Sequence, residues 1–268
     1  MWTPWFGVLG SKSGFDSLEE CFGDYVKYIY AGETGLSSDP PMNWRVSELD
    51  RIVLLSNSDA HSPEKIGREA NVFDADFSYK AVMEAIRAKD PKKLLYTIEF
   101  FPEEGKYHYD GHRVCGVRCS PEETKKYNGI CPVCGKPLVV GVMNRVEELA
   151  DREKGFRPER AIPFKSLIPL KEVIASVLGV GSQAKIVEKE YNRLIGSFGN
   201  EFKVLLDVSG EELKETVSFD IAEAIVRVRQ GDVKLEPGYD GVFGKILISP
   251  NQKTGDAKDP APAQNTLF

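Results

Sequence analysis

The sequence has few histidines and no long apolar run. Only three of its 268 residues are histidines, so a hydrolase centre built from several histidines would use all of them. No stretch reaches the roughly 18 to 20 apolar residues of a membrane-spanning helix. The N-terminus also lacks the basic and apolar regions of a signal peptide. We therefore expect a cytoplasmic protein with no membrane partner.

Charge and composition limit the remaining function classes. The chain carries a formal net charge of -6, so any contact with nucleic acid must come from local basic patches. An apolar share of 41% is enough for a hydrophobic core and excludes wholesale disorder. The length suits one large domain or two to three small ones.

Strand and helix patterns alternate in the first hundred residues. Apolar or β-branched runs predict strands at Val26–Tyr30, Ile52–Leu55 and Leu94–Phe101, with a helix around Ser78–Lys89 between the last two. Such alternation predicts an α/β fold with a mainly parallel sheet or barrel. Residues 150–163 are charged and loop-like.

The C-terminal half has a more helical pattern. Leu170, Val173, Ile174, Val177 and Leu178 share one helix face. Further patterns predict helices around Val187–Ile195 and Phe219–Gln230, a strand at Lys203–Val208 and a hairpin over Leu235–Ile248. Residues 249–268 are rich in Pro, Ala, Asp and Lys, which predicts a disordered tail.

The cysteines give the strongest chemical signal. Four of the five form two close pairs, Cys115-x3-Cys119 and Cys131-Pro-Val-Cys134, which predicts a structural Zn²⁺ bound by four thiolates. The alternative is a pair of disulfides, which the absence of a secretory signal disfavours. His108 and His112 lie just before the first pair, and either could substitute as a ligand.

A polar segment follows the predicted strand Ile52–Leu55. In β/α folds catalytic groups lie at the carboxyl ends of strands. Asp59 and His61, two residues apart, could there bind one metal ion or two adjacent ions. The alternative is a helix cap with a hydrogen-bonded histidine.

Two further segments suggest partners. Gly179 and Gly181 lie in a turn between helices that resembles a helix-hairpin-helix, and Lys185, Lys189 and Arg193 follow along one helix face, an arrangement that suits a DNA backbone. The alternative is an ordinary glycine stop with a solvated helix face. Gln264, Leu267 and Phe268 at the C-terminus resemble the peptides that dock repair enzymes onto the sliding clamp.

An ordered set of motifs carries a family resemblance. They are Thr3-Pro-Trp-Phe, Gly10-Ser-Lys-Ser-Gly-Phe-Asp-Ser-Leu, Glu33-Thr-Gly-Leu-Ser-Ser-Asp-Pro, Ser56-Asn-Ser-Asp-Ala-His-Ser, Gly67-Arg-Glu-Ala-Asn, the cysteine pairs, and Arg145-Val-Glu-Glu-Leu-Ala-Asp-Arg. Together they resemble the PHP-domain proteins of the endonuclease Q type. The resemblance implies a distorted β/α barrel and metal-dependent nicking of DNA 5′ to deaminated bases or abasic sites. It also implies active-site divalent ions (Zn²⁺, Mg²⁺ or Mn²⁺) held partly by Asp59 and His61.

The resemblance also implies ligands that this sequence does not match. Family members carry a His-x-His motif and further acidic and histidine ligands ahead of the segment equivalent to Thr3-Pro-Trp. We therefore expect a chain that lacks the N-terminal third of the PHP domain and has an incomplete active site. The aromatic residues Trp2, Trp5 and Phe6 could line the metal end or pack in the core.

The expected organisation has four parts. Residues 1–100 would form the C-terminal part of a partial PHP-type barrel, and 101–148 a zinc ribbon. Residues 149–248 would form a small, mainly helical DNA-binding domain, and 249–268 the tail.

The expected partners are damaged DNA and a sliding clamp, which predicts a nucleoid-associated protein. Two other functions stay open: a phosphoesterase acting on a small phosphate substrate, and a non-catalytic adaptor that binds DNA or the clamp.

Overall fold

The computed structural model describes residues 1–248, so the predicted tail and its clamp-like motif lie outside the described residues. The described helices are α1 (Leu18–Phe22), α2 (Pro40–Asn43), α3 (Tyr79–Ala88), α4 (Pro121–Lys126), α5 (Val142–Leu149), α6 (Leu170–Leu178), α7 (Lys185–Phe198), α8 (Glu201–Leu206), α9 (Gly210–Thr216) and α10 (Phe219–Gln230). The described strands are β1 (Ala31–Glu33), β2 (Val53–Leu55), β3 (Ala70–Phe73), β4 (Leu94–Glu99), β5 (Asp110–His112), β6 (Val117–Cys119), β7 (Phe164–Ser166), β8 (Lys234–Glu236) and β9 (Lys245–Leu247). Short 3₁₀ helices include Gly23–Tyr28, Pro63–Arg68 and Arg113–Cys115.

The N-terminal strands form two small sheets. β1 pairs with β2 in parallel, and β4 lies between antiparallel β3 and parallel β7. Ser56, just after β2, joins the two sheets: its N–H donates to Asn71 Oδ1 (2.9 Å) and its hydroxyl donates to the Ile98 carbonyl (2.6 Å). The carboxyl ends of β2 and β4 therefore lie side by side. A mixed α/β fold is confirmed, while the barrel itself stays a prediction.

Two large apolar cores cross the expected domain boundaries. One runs from Ile98 on β4 through the faces of α6 to α10. The other contains Trp2 and Leu9 near the N-terminus together with Val142 and Val146 of α5, which follows the cysteine-rich segment. The segment between β4 and α5 is thus held at both ends by packing. The four-part domain division stays a prediction.

Two of the predicted strands are helices. Val26–Tyr30 lies largely in the 3₁₀ helix Gly23–Tyr28, with Val26 buried and Tyr25 and Tyr28 exposed. Lys203–Val208 lies largely in α8, because Gly199 ends α7 and Asn200 then caps a new helix through its side chain, which accepts from the Lys203 N–H (2.9 Å). Both segments are short apolar runs that helices and strands share, and in the second segment the Asn200 cap favours the helix.

The other predicted elements are confirmed. β2, α3, β4, α6 and α10 occupy the expected segments, and β8 and β9 form the expected antiparallel hairpin. The sequence offers two glycines, Gly196 and Gly199, that could end α7. Gly196 lies inside the helix, and Gly199 ends it. Within residues 1–248 no helix is both long and apolar enough to cross a membrane.

Candidate functional site

Four ligand-type side chains meet at the tip of the β5–β6 hairpin and the facing cysteine knuckle. They are His112, Cys115, Cys131 and Cys134, whose ligand atoms all lie within 4.8 Å of one another. His112 Nδ1 lies 3.4 Å from Cys134 Sγ. Three sulfur donors and one imidazole nitrogen form a donor set typical of a closed, tetrahedral structural zinc site. The residues therefore fit a metal ion that supports the fold.

Cys119 does not join this cluster, although the sequence pattern places it among the four ligands. The β5–β6 register pairs Cys119 with Asp110, whereas His112 pairs with Val117 beside the turn. Cys119 therefore sits two strand residues, roughly 6.6 Å, farther from the turn that holds Cys115. Its side chain is 2% exposed and packs with Leu138 in a small apolar cluster. The spacing of the cysteines favoured Cys119 and left His108 and His112 as possible substitutes, and the strand register places His112 at the cluster.

The backbone of the knuckle favours a thiolate at Cys131. Burial alone would raise the pKa of the Cys131 thiol, but the N–H groups of Cys134 and Val133, with the Cys134 and Cys115 thiols, lower it to about 7. Burial and the neighbouring Cys134 and Cys131 thiols raise the pKa of Cys115 to about 11. A thiolate is the form that binds metal, so the N–H groups of the knuckle favour the metal-binding form of Cys131.

The Asp59–His61 loop follows β2 at the joint between the two sheets. Both side chains are exposed, and Asp59 adopts a φ of 45°, which is uncommon for a residue other than glycine. His61 Nδ1 donates to the Asp59 carbonyl (2.8 Å), which leaves Nε2 with a free lone pair for a metal ion. Arg68 fixes the start of the loop by donating to the Ser58 carbonyl (2.6 Å). The donor set fits part of a divalent-cation site, although no third ligand-type side chain of the described chain completes it at close spacing.

Two buried carboxyl groups lie at this same edge, and the sequence analysis missed them. Glu99, at the end of β4, accepts hydrogen bonds from the Thr34 hydroxyl (2.9 Å) and from the Thr97 hydroxyl, and burial raises its pKa to about 7. Glu69, just before β3, is 2% exposed, and its Oε2 has no hydrogen-bond partner. Burial and the nearby Glu99 raise the pKa of Glu69 to about 8. The sequence signal that could have found them is an acidic residue at a strand terminus, since Glu99 ends β4 and Glu69 directly precedes β3.

The predicted DNA-backbone residues lie together on a helical hairpin. Gly179 ends α6 in the left-handed conformation with a φ of 65°, and Gly181 is exposed in the turn before α7. Lys185, Lys189 and Arg193 are exposed along α7, whose N-cap residue Ala184 makes no capping side-chain bond. Glu190 accompanies the stripe, 3.9 Å from Arg193. The structure brings the five residues to one region and leaves their DNA contact a proposal.

The N-terminal aromatic residues separate into two environments. Trp2 is 1% exposed and its indole N–H donates to Asn43 Oδ1 (2.7 Å), so it is a core residue. Trp5 is 46% exposed and Phe6 is 90% exposed.

Two family models match parts of the chain. The model described as PHP-associated matches residues 51–91, which include the Asp59–His61 loop. The model described as the MJ0043 C-terminal domain matches residues 169–232, which include α6 to α10.

Two curated relatives match most of the chain. The uncharacterised protein MJ0043 of Methanocaldococcus jannaschii is 35% identical over 261 residues, which cover 93% of this chain and 32% of the relative. The uncharacterised protein YqxK of Bacillus subtilis is 35% identical over 250 residues, which cover 92% of this chain and 59% of the relative. The chain thus spans about a third to three fifths of the length of these relatives.

Two solved structures share the fold. The lesion-specific endonuclease PfuEndoQ of Pyrococcus furiosus superposes with a TM-score of 0.83 at 32% identity, over 94% of this chain and 62% of that one. An endonuclease Q in complex with a 27-mer duplex that has an abasic lesion at the active site superposes with a TM-score of 0.79 at 32% identity, over 96% of this chain and 65% of that one. In sequence and fold the chain is similar to endonuclease Q, it contains a segment that the PHP-associated model matches, and it spans less than two thirds of those solved structures.

Proposed function

We propose that this chain is part of a DNA repair endonuclease that hydrolyses the phosphodiester 5′ to a deaminated base or an abasic site. One observation carries the proposal: the chain superposes with a TM-score of 0.83 on a lesion-specific endonuclease. The exposed Asp59 and His61 at a strand end support it. In α/β folds this edge is where ligands bind and catalytic groups lie.

The roles of the site residues follow from their hydrogen bonds. Divalent ions bound at this edge would supply Lewis acidity and a water of lowered pKa. Asp59 offers a carboxylate, and His61 offers Nε2 because its Nδ1–H is held by the Asp59 carbonyl. Arg68 holds the loop that carries both residues. A deaminated or missing base pairs poorly, so it costs less to extrude from the duplex, which supports selection of lesions by base flipping.

This chain supplies few of the ligands that a multinuclear centre needs. Of the three histidines, His108 is 4% exposed and His112 belongs to the cysteine cluster, which leaves His61 for the strand-end site. We therefore expect the purified chain to bind damaged DNA and structural zinc but not to nick DNA.

Nicking and binding assays test the proposal. The purified chain, with Mn²⁺ or Mg²⁺, is offered duplexes with uracil, hypoxanthine or an abasic site, an undamaged duplex, and a generic phosphomonoester. Tighter binding of the damaged duplexes supports the repair function. Nicking by this chain would contradict the expectation that its active site has too few metal ligands for catalysis. Equal binding of all duplexes together with phosphomonoester hydrolysis would favour the small-phosphate enzyme.

Variants at the strand end test its metal role. Asp59→Asn and His61→Ala are expected to weaken Mn²⁺ binding by at least tenfold in calorimetric titrations. Asp74→Asn removes an exposed carboxylate in the loop after β3 and serves as the matched control. Mn²⁺ affinity that is unchanged in both site variants would contradict the assignment.

The C-terminal residues support a second proposal, docking to a sliding clamp through Gln264, Leu267 and Phe268. The argument rests on sequence alone: two large apolar residues end a polar, proline-rich segment. Binding of the tail peptide to a clamp tests it, and affinity that is unchanged by Leu267→Ala and Phe268→Ala would remove it. Clamp binding together with the absence of nicking would favour a non-catalytic adaptor.

A further inference from the structure

Three segments that are far apart in sequence meet at one exposed surface. Trp5 of the N-terminal loop packs edge-to-face on Tyr107, with ring centroids 5.2 Å apart. The next residue after Trp5, Phe6, is 90% exposed. Lys106 Nζ lies 4.4 Å from the ring centroid of Phe243, which belongs to the C-terminal hairpin. Together with Arg113, these residues are called the aromatic–basic surface.

The backbone fixes the hairpin against its neighbours. The Gly238 N–H donates to the Glu103 carbonyl (2.8 Å), and the Gly241 N–H donates to the Lys106 carbonyl (3.0 Å). A Cβ at Gly244 would lie 2.0 Å from the Glu103 carbonyl oxygen, so only glycine allows this approach. Phe243 is therefore presented on a rigid support rather than on a free loop.

This surface combines exposed aromatic and basic groups in a chain of net negative charge. Trp5 is 46% and Phe243 is 66% exposed, and Lys106 and Arg113 are exposed as well. The nearby Asp240 directs its Oδ2 to the Arg113 N–H (2.6 Å). The Arg113 guanidinium and the Tyr107 hydroxyl both lie close to Gly241, within 4 Å of the position that a Cβ would take there. Exposed rings beside cations are a chemistry that recognises flat, electron-rich rings on an anionic backbone.

We propose that the aromatic–basic surface binds single-stranded nucleic acid, with unpaired bases stacked on Trp5, Phe6 or Phe243 and phosphates beside Lys106 and Arg113. This inference rests on the proposed function, since an enzyme that extrudes a damaged base creates unpaired nucleotides next to the lesion. Its residues are different from those of the predicted backbone contacts on α7. An apolar protein partner would not require the two exposed cations.

Binding of a fluorescent oligothymidylate to the full chain, followed by anisotropy, tests the proposal. Removal of one ring that stacks on a base typically lowers affinity by about tenfold. Trp5→Ala with Phe243→Ala is therefore expected to weaken binding by at least that factor. Lys106→Ala with Arg113→Ala is expected to weaken binding and to reduce its dependence on salt. The control pair Phe77→Ala with Tyr79→Ala removes two exposed aromatic residues at the start of α3 and is expected to leave affinity within twofold.

Tryptophan fluorescence gives a second readout. Trp2 and Trp44 are buried, so quenching by an oligonucleotide reports chiefly on Trp5. Trp5→Phe is expected to keep most of the affinity and to lose the quenching, whereas Trp5→Ala loses both. Circular dichroism spectra confirm that each variant is folded.

The outcomes separate this inference from the proposed function. Affinity for oligothymidylate that is unchanged in the aromatic pair, or lowered equally in the control pair, overturns the inference even if damaged duplexes are still preferred. Binding of a protein partner that depends on Trp5 and Phe243, without any effect on oligonucleotide binding, also overturns it. Loss of oligonucleotide binding in the aromatic pair supports it even if lesion preference is absent.

Discussion

The side chain of His112 reaches the cysteine cluster, whereas that of Cys119, two strand residues farther from the hairpin turn, does not. His112 lies beside the hairpin turn and reaches Cys134, whereas Cys119 pairs with Asp110 and is buried with Leu138. Cysteine spacing alone cannot distinguish a ligand from a buried thiol, because the strand register sets the distance to the turn. We therefore assign the zinc proposal to His112 and three cysteines.

Zinc content tests this assignment directly. Cys119→Ser is expected to retain one zinc ion per chain, because its thiol lies outside the cluster. His112→Ala and Cys134→Ser are each expected to weaken zinc binding by at least tenfold, since each removes one of four donors. Zinc content is measured by elemental analysis and affinity by competition with a chromogenic chelator. Zinc loss in Cys119→Ser with zinc retained in His112→Ala would contradict the assignment.

The buried carboxyl of Glu69 links stability to pH. Burial and Glu99 raise its pKa to about 8, above the usual value for an unfolded chain. The folded state therefore holds the proton more tightly, and this contribution to stability is lost as pH rises toward 8. Glu69→Gln removes the ionisation and is expected to increase the free energy of unfolding at pH 8.5 by about 1–3 kcal/mol.

Denaturant unfolding at several pH values measures the effect of Glu69→Gln. The gain is expected to shrink toward pH 5, where the wild-type carboxyl keeps its proton. Glu223→Gln, on the exposed side of α10, serves as the control with the same change in charge. A gain that does not depend on pH would show that ionisation of Glu69 is not the cause.

At the scale of the element, α7 combines a buried face with a basic stripe. Val187 and Leu194 are fully buried, whereas Lys185, Lys189 and Arg193 are exposed. The glycine turn before α7 leaves its first N–H groups without a side-chain cap. Both features suit a DNA phosphate backbone.

Replacing Lys185, Lys189 and Arg193 together by Ala tests the stripe. We expect DNA affinity to fall by at least tenfold and the slope of log affinity against log salt to decrease by about two to three. The triple variant Lys80→Ala, Lys92→Ala and Lys93→Ala makes the same change in net charge at exposed positions elsewhere. An equal loss in both triple variants would show a general effect of charge rather than a specific contact.

At the scale of the whole molecule, the cysteine-rich segment has little core of its own. Its buried apolar cluster consists of Cys119, Cys131 and Leu138, while the two large cores lie on either side in sequence. Structural zinc sites contribute on the order of 10 kcal/mol or more to folding in such modules. Folding of the cysteine-rich segment is therefore expected to depend on its metal, whereas folding of the two large cores is not.

Chelation followed by hydrogen exchange tests this dependence. Removal of zinc is expected to abolish amide protection over residues 108–138 and to leave protection in α6 and α10 nearly unchanged. Protection is measured by mass spectrometry before and after metal removal, and re-addition of zinc is expected to restore it. Global loss of protection would show that the segment and the cores unfold as one unit.

The sequence alone determined the elements whose signals are local. Apolar residues spaced along one face predict α6 and α10, the apolar run predicts β2, and the turn Gly238-Tyr-Asp-Gly241 predicts the hairpin of β8 and β9. The ordered motifs also indicated the endonuclease Q family and the strand-end loop with Asp59 and His61. These features depend on neighbours within a few residues, so the chain encodes them without reference to the rest of the fold.

The tertiary structure alone decided what depends on register and on distant segments. It brought His112, rather than Cys119, to the other three cysteines, because hairpin pairing sets which side chains reach the turn. It placed Glu69 beside Glu99 and brought Trp5 to Tyr107, residues separated by 30 and 102 positions in the sequence. No periodicity records such pairs, since their distance is set by how separate elements pack and not by the order of residues along the chain.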